Sequence, residues 1–93
     1  MEIKIFPSFR NKLSKQLNYI ASDKPVAAQK FRDNIFDLIE QISSMPYKNR
    51  QSIYYNDLNI RDLIFKGYVI TYRIRTDINQ IEIFGFAKYT ERP

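Results

Sequence analysis

The sequence predicts an α+β domain in which one strand and a helical hairpin precede an antiparallel meander. Three observations carry that prediction. Two stretches place apolar residues at helical spacing and are separated by a four-residue stop; the pattern changes to period two after residue 60; and turn-forming residues punctuate the second half. The expected order is β-α-α-(β)-β-β-β. The antiparallel αα-hairpin should cover one face of a mostly antiparallel sheet of three to five strands.

Residues 2–6, Glu-Ile-Lys-Ile-Phe, alternate as a strand with one buried face. Pro7-Ser8 ends it, with Ser8 as the expected helix N-cap. Phe9, Leu13, Leu17, Ile20 and Ala21 then recur at helical spacing and predict an amphipathic helix over 9–21. Ser22-Asp23-Lys24-Pro25 is a stop and restart, with Asp23 or Lys24 at the cap and Pro25 in the first turn. The second helix carries the stripe Ala28, Phe31, Ile35, Leu38, Ile39 and Ile42 and ends at Met45-Pro46. A polar, basic loop follows from Tyr47 to Gln51, and Ile53-Tyr54-Tyr55 reads as a short strand. Ile60–Phe65 is a strand, Lys66-Gly67 a two-residue turn, and Tyr68 to Arg75 the next strand. In that strand Tyr68, Ile70, Tyr72 and Ile74 take one face, and Val69, Thr71, Arg73 and Arg75 the other. Residues 76–79 turn the chain into a last strand, Gln80 to Phe86, followed by a tail.

At 93 residues the chain is read as a single domain spanning 1–93. Such a length buries roughly 60–65% of the surface exposed on unfolding, enough for one core. No run of 18 apolar residues is present and the amino terminus reads as a strand, so a cytoplasmic protein without a membrane partner is expected. With neither cysteine nor histidine, thiolate chemistry, zinc–sulfur sites and the commonest general base and metal ligand are excluded. Neither a metal nor another cofactor is expected, and catalysis would fall to Lys, Arg, Tyr or carboxylates. The net charge of +5 suits an acidic or polyanionic partner, or serves solubility alone.

Three segments taken together resemble the RelE/ParE superfamily of type II toxins. They are Ile60-Arg61-Asp62-Leu63-Ile64-Phe65, Gly67-Tyr68-Val69-Ile70-Thr71-Tyr72-Arg73-Ile74 and Ile81-Glu82-Ile83-Phe84-Gly85-Phe86. They match an R-x-L strand, a turn, a Y-x-I-x-Y-x-I strand and a final apolar strand, and the resemblance covers nearly the whole chain. RelE-like members cut mRNA on the ribosome, whereas ParE-like members poison DNA gyrase. RelE-like nucleases place an arginine where this chain has Val69, while Arg61 and Arg73 are common in the ParE-like branch, which the sequence resembles more closely. The resemblance therefore implies a plasmid-stabilisation toxin that inhibits growth by binding DNA gyrase without chemistry of its own. It would be neutralised by a cognate antitoxin and would meet operator DNA only through it. The alternatives are a ribosome-dependent mRNA endonuclease and a non-toxic member that only binds its antitoxin.

Each candidate residue has two readings. Arg61 binds a phosphate or an acidic antitoxin side chain, or pairs across the sheet. Arg73 and Arg75 form the basic patch that meets a partner, with Lys88 and Tyr89 near them, or are the solvated face of a strand. Tyr68 and Tyr72 share the face of Ile70 and Ile74 and read as core; stacking on bases would need an open face. Arg10, Lys12 and Lys15 make a basic surface on the first helix, which in most proteins is only solvated. For a nuclease, Lys88, Tyr89 and Arg92 are the catalytic candidates, as acid, base or phosphate ligand.

Overall fold

In the computed structural model, which describes residues 1–89, the strand–hairpin–meander order is present. The elements are β1 (Glu2–Ile5), α1 (Pro7–Ala21), α2 (Pro25–Ser44), β2 (Arg50–Gln51), β3 (Ile60–Phe65), β4 (Tyr68–Arg75) and β5 (Gln80–Lys88). They build one five-stranded sheet in the order β1-β5-β4-β3-β2. The meander pairs are antiparallel, but β1 lies parallel to β5, with Ile3 beside Ile81 and Ile5 beside Ile83. The first strand thus closes the sheet against the last.

Both helices start on proline. At a first helical position the missing N–H costs nothing and the fixed φ is already helical. Phe6 is the N-cap of α1 and Lys24 that of α2. The first helix therefore begins two residues earlier than expected, and Ser8 does not cap it. Instead the Ser8 hydroxyl donates to the Phe84 carbonyl at 2.7 Å, tying α1 to β5.

The two apolar stripes meet the sheet as their spacing requires. Phe9 and Leu13 from α1, and Phe31, Ile35, Ile39 and Ile42 from α2, pack with Ile70, Tyr72, Ile74, Ile81, Ile83 and Phe86. Leu38 packs at the edge of this cluster, only partly buried. An aromatic group fills the wide end: Tyr68 stacks on Phe86 at 5.2 Å, and Phe31 meets Tyr68 edge-on at 5.4 Å. Tyr72 is wholly buried, with its hydroxyl donating to the Pro46 carbonyl at 2.6 Å and accepting from Asn49 Nδ2 at 3.2 Å. That phenol fastens the loop leaving α2 to the centre of the sheet. Burial holds its pKa above the usual tyrosine value, with the Asn49 bond opposing.

The β3–β4 turn places Lys66 at φ 48° and Gly67 at φ 81°. Two consecutive left-handed residues fit the strand twist of a two-residue hairpin. Between β4 and β5 the register slips by one residue: Thr71 faces Gly85 but Tyr72 faces Ile83. Phe84 is the extra residue of this bulge. A Cβ on Gly85 would come within 2.9 Å of Thr71 Cβ, so the strands can close there only on glycine.

The first strand stops one residue early, at Ile5, and two other strands differ more from expectation. Ile53-Tyr54-Tyr55 is not a strand; the pairing residues are Arg50 and Gln51, opposite Asp62 and Arg61. After Ser52, whose N–H donates to the Ile60 carbonyl at 2.8 Å, the chain leaves the sheet and Ile53, Tyr54 and Tyr55 are exposed. At the other end β5 runs on through Ala87 and Lys88, which pair with Val69 and Tyr68, rather than stopping at Phe86.

Candidate functional site

The side of the sheet away from the helices carries the charged residues beside the buried Ile60 and Val69, and it is where a binding surface was expected. Its arginines are not free. Arg73 Nη1 lies 3.3 Å from Glu82 Oε1, and Arg75 Nη1 lies 3.4 Å from Glu82 Oε2. Arg75 also grips Asp77 through two bonds, of 3.0 Å and 2.9 Å. This fork keeps the Asp77 carboxyl below, and the Arg75 guanidinium above, their ordinary pKa values. Glu82 is buried between the two arginines, so this end of the face is an internally neutralised network rather than a simple basic patch.

A second charged group occupies the β2 edge. Asp62 is buried, with Oδ1 accepting from Thr71 Oγ1 at 3.0 Å and Oδ2 facing Arg50 Nη2 at 3.8 Å. The guanidinium of Arg50 in turn lies 5.5 Å from the centre of the Tyr89 ring. Over the middle of the face, the β2–β3 connection brings Tyr55 edge-on to Phe84 at 5.9 Å. Arg73 covers Phe84 from the other direction at 5.4 Å.

The candidate residues are consequently split. Arg73 and Arg75 stand together. Arg61 does not join them: it faces Tyr72 across the ladder, on the helix side of the sheet. There it donates to the Leu58 and Asn49 carbonyls at 2.8 Å and 3.1 Å and stacks on Tyr47. The residue on the open face is Asp62, because successive side chains alternate. Lys88 faces Tyr68 and so leans toward α1, away from Arg73. Tyr89 sits with Arg50, and Arg92 lies outside the described residues. The nuclease trio is therefore not seen to converge on one point.

Sequence reasoning missed Arg50, Asp62 and Glu82. Only the carboxylates carried a signal, each standing between apolar residues at an alternating position. Arg50 carried none, since a two-residue strand has no periodicity to read.

A helical hairpin on one face of a five-stranded sheet, with ion pairs on the other face, defines a small α+β domain. The family model described as ParE toxin of type II toxin–antitoxin system, parDE, matches residues 3–89. The chain belongs to the ParE toxin family. Among solved structures, one titled as the chromosomal ParDE toxin–antitoxin system from P. aeruginosa superposes with a TM-score of 0.78 over 97% of both chains, at 13% identity. That likeness is one of fold. No curated protein matches the chain by sequence.

Proposed function

We propose that this chain is a growth-inhibiting toxin that binds and poisons DNA gyrase, and that a cognate antitoxin holds it inactive. The observation that carries the reading is the match to the ParE toxin family across residues 3–89. The charge arrangement favours binding over hydrolysis. Arg73 and Arg75 are already neutralised by Glu82 and Asp77, so a scissile phosphate would have to displace two carboxylates to use them.

Two measurements on induced cells and purified protein test the reading. Supercoiling by purified gyrase should fall as the chain is added, while labelled amino-acid incorporation continues in the first minutes after induction. An immediate fall in incorporation with normal supercoiling would assign the chain to mRNA cleavage instead. Normal growth together with tight antitoxin binding would make it a non-toxic member.

A further inference from the structure

β1 is an edge of the sheet with one side unused. Its neighbour is β5, and among the described residues no strand pairs with its outer side. The N–H groups of Glu2 and Phe6 donate to the Asn79 and Ile83 carbonyls, at 3.1 and 2.9 Å. By the alternation of a strand, the backbone groups of Ile3 and Ile5 therefore face outward. The side chains alternate between the two faces as well. Ile3 and Ile5 sit half-buried at the rim of the core, while Glu2 and Lys4 are exposed on the open face. Among the described residues neither Glu2 nor Lys4 has an ion-pair partner. Lys4 only overhangs the Phe6 ring, 5.7 Å from its centre.

We propose that this edge pairs with the same edge of a second copy of the chain, antiparallel and centred on Ile3, so that two sheets join as one across a two-fold axis. The order of residues selects that register. With Ile3 opposite Ile3, Glu2 lies opposite the second copy's Lys4, and Lys4 opposite its Glu2. Either neighbouring symmetric register puts a like pair on the axis, Glu2 on Glu2 or Lys4 on Lys4, and like charges directly opposite repel. A lone lysine on an edge strand guards against pairing of this kind. A glutamate two residues before it, on the same face, supplies its answer instead.

The backbone and the apolar face fit the same register. Ile3 exchanges both of its main-chain bonds with the second copy's Ile3, and the Ile5 N–H meets the second copy's Met1 carbonyl. That carbonyl accepts from the Ser43 hydroxyl and has a second lone pair to offer. On the helix side Ile3 meets Ile3 and Ile5 meets Met1, so half-exposed apolar groups at the rims of two cores cover one another. β2, at the opposite edge of the sheet, has only two residues, and its pairing with another copy's β1 would build an open chain rather than a closed pair. In the closed pair both open faces point the same way, which sets two Arg73–Glu82–Arg75 networks on one surface. Four residues per copy bury little area, so the dimer is weak, with a dissociation constant on the order of 100 µM. The proposal does not rest on the toxin reading.

Sedimentation of the free chain from about 10 µM to about 1 mM tests the proposal, since that range brackets the expected constant. The average mass should rise from that of one chain toward that of two and no further. Glu2→Lys and Lys4→Glu each set two like pairs against one another and should each weaken the dimer by at least about tenfold. An equimolar mixture of the two variants should restore it, because every facing pair is then opposite in charge. Both substitutions are at exposed positions and should leave the melting temperature unchanged, which separates pairing from folding. A chain that stays monomeric throughout, or one that grows past two copies, would overturn the proposal. So would a dimer that neither variant weakens, or one that the mixture of variants does not restore.

Discussion

The two faces of this sheet are built from alternate residues of the same strands, yet they cohere by different physics. Toward the helices, Ile70, Ile74, Ile81 and Ile83 are buried against apolar stripes, and the gain scales with area removed from water. Away from the helices the β2–β3 connection sets Tyr55 against Phe84, and Asp62, Glu82 and the arginines that answer them tie the charged positions together. The first arrangement has no charge that salt can screen. The second depends on each charge having its partner, because a buried carboxylate left alone is costly while a half-exposed guanidinium can turn to water. A surface of that kind is specific in shape but weak as a source of stability.

Removing an aromatic from the helix side should have the largest effect. Phe31→Ala empties the contact with Phe65 and Tyr68 and is expected to cost about 3–5 kcal/mol in a denaturant titration. A loss under about 1 kcal/mol would mean that the stripe of α2 does not carry the fold. On the open side, Asp62→Ala leaves Thr71 Oγ1 without its acceptor but frees Arg50, whose side chain is 40% exposed. A smaller cost of about 1–3 kcal/mol is expected. If the same titration gave Asp62→Ala a cost equal to that of Phe31→Ala, the contrast between the faces would be wrong.

The helix side was the legible one. Apolar residues at spacings of three, four or two announce burial wherever their partner lies, so Phe9, Phe31, Ile35, Tyr68 and Tyr72 could be assigned to a core without knowing the sheet order. The strands Ile60–Phe65 and Tyr68–Arg75 were readable to the residue, because alternation and the Lys66-Gly67 turn fix both ends. The open side resisted for a physical reason: charged residues at alternating positions look alike whether they are solvated, ion-paired or waiting for a partner. Which they are depends on cross-strand register: Gly85 within its strand is a local sign of the bulge at Phe84, but the pairing of Arg50 with Asp62 has none. The parallel placement of β1 beside β5 is likewise a long-range fact. Without it the edge position of β1 could not be foreseen.

Tyr72 sharpens the comparison, because it sets a polar group within the apolar side. Its ring contributes to the core while its hydroxyl holds the Pro46 carbonyl and Asn49. Tyr72→Phe keeps the ring and strands those two partners at a half-buried site, so a loss of about 1–2 kcal/mol is expected, the smallest of the three. The phenol also predicts a pH dependence with a definite sign. Its folded pKa is raised above the unfolded value of 10.0, chiefly because burial penalises the phenolate. The neutral form is thus favoured by the fold, and the contribution is fully present below about pH 10. It is lost as the pH climbs from the unfolded value through the raised folded one, since there the unfolded chain releases its proton first. Denaturant titrations between neutral pH and pH 11 should show stability falling at the alkaline end in the wild type, with a shallower fall in Tyr72→Phe. Parallel curves would mean that the Tyr72 hydroxyl reaches water, and that the loop after α2 is held to the sheet by something other than this bond.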